Sequence, residues 1–184
     1  MDIHEALLNR RTIHRYTDEP IPDGVVERAL QAAIRAPNHK LTNPWRFTRV
    51  GKSTRQKLTE LGIQLKAEKK GEMDDDYERY LREKYGNPAA LVAVSQVLDD
   101  DPFRRKEDYA ATAAAIQNFC LSLFADDVGS KWSTGSMTRH DDTYAWLEID
   151  PDVEEIVALV WVGMPEIVPD PPRMTLDQVV RDVP

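Results

Sequence analysis

Residues 107–126 read Glu-Asp-Tyr-Ala-Ala-Thr-Ala-Ala-Ala-Ile-Gln-Asn-Phe-Cys-Leu-Ser-Leu-Phe-Ala-Asp. On helical spacing, Ala110, Ala111, Ala113, Ala114, Ala115, Ile116, Phe119, Cys120, Leu121, Leu123 and Phe124 fall on nearly every side. A helix that is apolar all round is expected to be buried. Its alanines let a second helix approach closely. Gly129 is expected to close this element, with Lys131 to Thr134 leading away from it.

The neighbouring segments alternate in type around this helix. Ala90 to Val97 precedes it and Ile156 to Val162 follows it, both apolar enough for buried strands, while Trp45 to Val50 alternates as a third. Helices are expected at Ile3–Asn9, after Pro22 with Asp23 as N-cap, at Ser53–Lys69, at Tyr77–Tyr85 and at Asp141–Leu147. Val25, Val26, Ala29, Leu30, Ala33 and Ile34 form one stripe, and Pro37 bars continuation beyond it. Pro165–Pro172 is an extended proline-rich tail, followed by a short amphipathic piece at Leu176–Val183. Helices dominate over a few separated strands, which predicts an α+β fold in a single domain, residues 1–184.

Bulk properties narrow the function. The net charge is -8, with 41% hydrophobic and 30% charged residues. The acidic balance argues against non-specific nucleic-acid binding. No apolar run approaches the ~20 residues of a membrane-spanning helix. The single cysteine, Cys120, forms no intrachain disulfide and suits a reducing compartment, and no signal-peptide pattern opens the chain. A cytoplasmic protein is expected. His4, His14, His39 and His140 lack metal-ligand spacing, so no metal site is expected.

Against that acidic background three clusters stand out. Arg10-Arg11-Thr12-Ile13-His14-Arg15-Tyr16 follows the first helix. Two guanidiniums and a hydroxyl there suit a phosphate, although cations at a helix C-terminus also simply complement its dipole. Arg35-Ala36-Pro37-Asn38-His39-Lys40 follows the second helix and leads into Asn43-Pro44-Trp45-Arg46-Phe47. Dipole compensation is the plain alternative for Arg35, while Asn-Pro stiffens the turn that carries His39. Gly129-Ser130-Lys131-Trp132-Ser133-Thr134-Gly135 suits close backbone approach to a planar ligand, or a core tryptophan beside a tight turn. It is neither a P-loop nor a dinucleotide fingerprint.

Taken in order, these segments resemble the nitroreductase family of flavin enzymes. Residues 10–16 are similar to its Arg-Arg-Ser-Ile-Arg-x-Phe opening, and residues 35–47 to its Ala-Pro-Ser…Asn-x-Gln-Pro-Trp segment. Asp108–Gly135 resembles its long central helix and flavin loop, and Pro171–Val180 its closing segment. The resemblance implies an α+β fold with a mainly antiparallel sheet flanked by helices. It also implies an intertwined homodimer, with FMN bound at the interface.

Residue by residue, the resemblance assigns Arg10, Arg11 and Thr12 to the FMN phosphate and ribityl chain. It places Arg35 and His39 against the FMN held mainly by the partner subunit. Trp132, Ser133 and Thr134 would lie along the flavin, and Arg173 would be a closing phosphate ligand. His14 stands where the family has a cation facing the pyrimidine edge, which Arg15 could replace, and Asn43 stands for the usual Gln. The implied activity is ping-pong hydride transfer from NADH or NADPH, through the flavin, to a nitroaromatic, quinone-like or other small acceptor. Since the flavin carries the chemistry, no catalytic side chain is named. Two other readings stay open: a flavin store or sensor without turnover, and a specialised flavin-site enzyme such as a dehalogenase.

Overall fold

The computed structural model describes all 184 residues, Met1–Pro184. Its elements in chain order are α1 (Ile3–Asn9), α2 (Val25–Ala33), β1 (Trp45–Arg49), α3 (Lys52–Lys70), α4 (Asp75–Gly86), β2 (Ala90–Val97), α5 (Pro102–Ala125), β3 (Gly129–Ser133), α6 (Asp141–Leu147) and β4 (Glu154–Gly163). The strands form one wholly antiparallel sheet in the order β1-β2-β4-β3. The α+β architecture read from the sequence is the one observed.

Alternation sorts the two inner strands between two cores. Val92 and Val94 of β2, with Ala158, Val160 and Val162 of β4, face α2 and α5. Leu91 and Ala93, with Leu159 and Trp161, face α3, α4 and α6. A register shift at Val94/Ser95 lets Val157 and Ala158 lie on the same face. Both faces are covered, which is why these strands read as continuous apolar runs. The small side chains of Ala29 and Ala33 on α2, and Ala111 and Ala115 on α5, share the first core, so the two helices pack closely.

Several details depart from the sequence reading. The residue preceding α2 is Gly24, not Asp23; its φ of 76° is left-handed, a conformation glycine adopts without penalty. α5 starts at Pro102 rather than Glu107, because the Asp101 carboxylate accepts from Phe103 N and proline suits the first turn. It is not buried all round: Tyr109 and Ala110 are exposed and Ala114 half-buried, so one alanine-lined side remains open. Residues 129–133 form an edge strand rather than a departing loop. Beyond Thr175 the tail makes only a short 3-10 turn, Leu176–Gln178, and stays exposed.

Residues 10–17 finish the edge beside β3. Thr12 bridges Ser130 in parallel, Ile13 N donates to Ser130 O at 3.0 Å, and Thr17 N donates to Met164 O at 3.0 Å. Tyr16 Oη donates to the carbonyls of Ile13 and Trp161, and burial pushes its phenol far above the usual range. The close approach requires Gly129. A Cβ there would lie 2.8 Å from Ile13 Cγ1 and 3.1 Å from Gly163 O. No helix is long and apolar enough to cross a membrane.

Candidate active site

A cavity of about 360 Å³ opens between α3, the end of α4 and the outer end of β3. α3 contributes Lys66 and Lys69, three residues apart and therefore on one side of the helix. Lys84 and Tyr85 come from the last turn of α4, where the helix dipole favours a cation. β3 and the turn after it contribute Lys131, Trp132, Ser133, Thr134 and Gly135. Met137 closes the floor against Gly62, where a Cβ would meet its sulfur at 3.0 Å.

The electrostatics of this cavity are one-sided. Its lining holds Lys66, Lys69, Lys84 and Lys131 and no Asp or Glu. None of the four lysines takes part in an ion pair. Lys131 Nζ and Lys84 Nζ stand 5.5 and 5.6 Å from the centroid of the same Tyr85 ring, and Lys84 is 5.4 Å from that of Tyr80. The negative faces of these rings partly stand in for absent carboxylates. Burial, then the neighbouring Lys84 and Lys66, push the Lys131 ammonium down to about 8. Burial and Lys66 lower Lys84, against a smaller opposing contribution from Tyr77. Burial, Lys131 and Lys84 likewise lower His14.

Two polar atoms of the wall have no partner. Trp132 Nε1 and Ser133 Oγ are buried and unbonded. Orphaned buried groups of this kind are uncommon and call for a ligand or a partner.

The residues singled out in the sequence fall in several places. Trp132, Ser133 and Thr134 line the cavity. Arg10 lies on the α5 side: burial pushes the Cys120 thiol up, while Ser130 and Arg10 oppose that rise. The Arg10 side chain makes no hydrogen bond or ion pair within the chain, and Thr12 sits beside Ser130. The Arg11 guanidinium is already engaged, donating to Leu8 O at 2.7 Å, to Arg10 O at 3.2 Å and to Asp170 at 2.9 Å. Its Nε remains buried and unbonded. Arg35 lies on a second, more apolar groove of about 410 Å³, with Ile3, Ala6, Asn118 and Leu121. His39 Nδ1 is 2.9 Å from both carboxylate oxygens of Glu107, beside the open alanine side of α5. Arg173 is exposed in the tail. A single chain therefore gathers only part of the set; Arg35, His39 and Arg173 stand away from the cavity.

Sequence reasoning missed the lysines. Lys131 lies inside the 129–135 segment, whose reading rests on its glycines, hydroxyls and tryptophan and gives the lysine no role. Strand alternation is the signal that separates it: successive residues point to opposite faces, so Lys131 turns towards α4 while Trp132 packs on the other core.

The fold and this site are those of a known class. The nitroreductase family model matches residues 7–164, and the chain belongs to that family, and with it to the flavin-dependent oxidoreductases. The proposed NAD(P)H nitroreductase YfhC of Bacillus subtilis (strain 168) is 27% identical over 175 residues, covering 94% of this chain and 89% of YfhC. Among solved structures, a nitroreductase-like family protein from Bacillus cereus superposes with a TM-score of 0.83 at 23% identity, covering 100% of this chain and 96% of its own. A proposed nitroreductase from Desulfovibrio desulfuricans, solved in complex with FMN, gives 0.79 at 22% identity, covering 100% and 98%. At these identities the structural likenesses speak for the fold.

Proposed function

We propose that the chain is one subunit of a homodimeric FMN-dependent NAD(P)H oxidoreductase, with residues 1–184 as a single FMN-binding domain. The observation that carries this reading is the cavity where Lys66, Lys69, Lys84 and Lys131 stand with no carboxylate in the lining, beside Ser133, whose buried Oγ lacks any partner. A flat, polar-edged, anionic cofactor fits that donor set. FMN bound by the Desulfovibrio neighbour and the NAD(P)H in the name of YfhC support the same choice of cofactor and co-substrate.

When bound, FMN supplies the hydride chemistry, accepting from NADH or NADPH and delivering to a nitroaromatic, quinone-like or other small acceptor in turn. The chain's own part is to bind, orient and polarise. Arg10, free of protein partners, and Thr12 are placed to hold a phosphate by charge-assisted hydrogen bonds, with Arg11 ordering the segment through Leu8 and Asp170. Trp132, Ser133 and Thr134 form the wall along the flavin. Lys131 would supply positive potential near its pyrimidine edge, with His14, its pKa lowered by burial and by Lys131 and Lys84, beside it as a neutral imidazole.

Arg35 and His39 serve the partner's site in this reading, and Arg173 closes a phosphate contact from the tail. The dimer is supported by unpartnered apolar surface. Leu8 is 74%, Leu176 78% and Val183 82% exposed, and beyond Glu166 only the Arg11–Asp170 pair hydrogen-bonds the tail to the body. We place the protein in the reducing cytoplasm on the strength of its one cysteine, Cys120.

The purified protein is expected to be yellow, with about one FMN per chain, and to oxidise NADH or NADPH in the presence of an acceptor. A colourless preparation that fails to take up added FMN overturns this reading. A yellow protein that oxidises neither nucleotide leaves the store or sensor and the specialised flavin-site enzyme.

A further inference from the structure

The turn after α2, residues 38–43, is held in an uncommon shape. Lys40, Leu41 and Asn43 have φ of 54°, 55° and 46°, in the left-handed region that residues with a side chain rarely adopt. Such a conformation persists only where the surroundings over-determine it. Apolar burial does not supply that restraint: none of His39, Lys40 and Leu41 is buried, and Leu41 is 79% exposed.

The restraint comes from two consecutive acids of α5. Glu107 accepts from His39 Nδ1, which lies 2.9 Å from each carboxylate oxygen, and Arg104 stands 3.7 Å from the same carboxylate. Asp108, only 4% exposed, accepts from Thr42 Oγ1 at 2.6 Å. The helix thus grips the turn at residues 39 and 42, and within the turn Asn38 Oδ1 accepts from Asn43 N at 2.9 Å. Burying the Asp108 carboxylate is unfavourable in itself, and a turn that buries nothing gives no compensating stability.

The grip on His39 has a chemical consequence. A ring nitrogen that hydrogen-bonds a carboxylate carries the hydrogen, so the neutral imidazole has its proton on Nδ1 and a lone pair on Nε2. Nε2 makes no hydrogen bond within the chain. It is a free acceptor on an exposed ring, beside the open alanine side of α5. FMN offers donors at its ribityl hydroxyls and at the ring N3–H, whereas its phosphate and ring carbonyls accept. The pyrimidine edge, which carries N3–H, is already given to Lys131, and the ribityl hydroxyls are left.

We infer that Glu107 and Asp108 are positioning residues for the partner subunit's flavin: Asp108 locks the turn through Thr42, and Glu107 sets His39 so that its Nε2 accepts from a ribityl hydroxyl. The inference rests on the flavin reading above, in which His39 serves the partner's site.

The test uses the native dimer, stripped of flavin and reloaded with FMN or riboflavin. Glu107→Ala frees the ring, and Thr42→Val and Asp108→Ala break the second anchor from opposite ends. Each should weaken FMN by about tenfold, the scale of one hydrogen bond. Each should weaken riboflavin by the same factor, because the ribityl chain is common to both. Thr42→Val combined with Asp108→Ala should be no worse than either alone, since both remove one interaction. Thr42→Ser and Asp108→Asn, which keep it, should bind as native. Nitrogen NMR of histidine-labelled protein at about pH 8.5, above the ordinary histidine range, should show the Nδ1–H form of His39 and its loss in Glu107→Ala. His39→Ala assigns the signal. Mixed under subunit exchange, Glu107→Ala and Arg10→Ala should recover one tight site per heterodimer.

Flavin affinity within about twofold of native in both Glu107→Ala and Thr42→Val overturns the inference. Thr42 is exposed, so its variant decides the matter even if Asp108→Ala fails to fold. A loss that spares riboflavin also overturns it, by assigning the turn to the phosphate. So does a variant that becomes monomeric in sedimentation, since the turn would then serve the interface alone, and so does a native His39 with its hydrogen on Nε2. Failure of the native protein to take up any flavin is the separate failure of the flavin reading, and it takes the inference with it.

Discussion

On the α3/α4 side of the sheet, Lys66, Lys84 and Lys131 surround a cavity whose walls come from one chain. On the α1/α2/α5 side, Leu7, Leu8 and Ile34 are exposed, and Arg35 borders an apolar groove with Ile3 and Leu121. The first region has a surplus of charge and walls that already stand. The second has a surplus of apolar surface and a polar residue with nothing to hold. Water tolerates the first arrangement better than the second, because contiguous apolar surface is what association removes. Each side thus asks for a different partner: a negatively charged group for one, a protein surface for the other.

The sharpest way to break this contrast is to remove the tail. Residues 167–184 expose Ile167, Val168, Met174, Leu176, Val179, Val180 and Val183 and add nothing to either core. Truncation after Glu166 should leave the sheet and both cores folded by circular dichroism while abolishing the dimer in sedimentation. A truncated chain that remains dimeric at micromolar concentration would show that the groove alone suffices.

Next in size are the arginines, one from each region. Arg10→Ala and Arg35→Ala should each weaken FMN binding by about ten- to a hundredfold, the scale of one charge-assisted hydrogen bond. Riboflavin, which lacks the phosphate, tells them apart: Arg10→Ala should erase the preference for FMN, and Arg35→Ala should weaken both ligands. Mixing the two variants under subunit exchange should restore one intact site per heterodimer. Failure of mixing to restore activity would remove Arg35 from the partner's site.

Gly129 joins the two regions, since it lets residues 10–17 lie against β3. Gly129→Ala drives a Cβ to 2.8 Å from Ile13 Cγ1. Overpacking of this kind costs about 1–3 kcal/mol. Chemical denaturation should register that loss, with FMN retention falling alongside because Arg10 and Thr12 are carried on the displaced segment. Undiminished stability would mean that the segment can lift away freely.

The difference between the regions also sets what could be read in advance. β2 was legible to its boundaries because both faces of Ala90–Val97 are buried, and α6 because it is short, capped and polar at its start. β3 was not. Gly-Ser-Lys-Trp-Ser has neither an apolar run nor a clean alternation, since one edge is covered by Thr12–Ile13 and its far end lines a cavity. The lysine cluster was invisible for a different reason. Lys66, Lys69, Lys84 and Lys131 come from three elements spread along the chain, and each alone resembles an ordinary solvated charge. Only folding shows that no carboxylate accompanies them. The phosphate-binding reading of residues 10–12 came from their local density of charge, yet sequence could not foresee that Arg11 would be tied to Asp170.

The smallest expected effect is the pH dependence of stability at Lys131. Its folded-state pKa is about 8, below the ordinary 10.5, with burial as the main cause and Lys84 and Lys66 behind it. Between those values the unfolded chain binds the proton and the folded chain does not. The stability contributed by this position therefore rises with pH across that window and is lowest, and flat, below about 8. Lys131→Met should remove that dependence, so the stability difference between variant and native should favour the variant at pH 7 and shrink towards pH 10. Lys66, Lys84, His14 and the Tyr85 phenol face the same space. His14 is lowered further below the window, and Tyr85 is raised above its usual value by burial, so neither reproduces a midpoint near 8. Lys84 is lowered as well, and the Lys84→Gln variant distinguishes it: the pH dependence should persist there with its lower limit moved up, because one cause of the lowering at Lys131 is gone, and vanish in Lys131→Met. A native stability that stays level between pH 8 and 10 by chemical denaturation, matching that of Lys131→Met, would show that the ammonium at this position is not held down by burial.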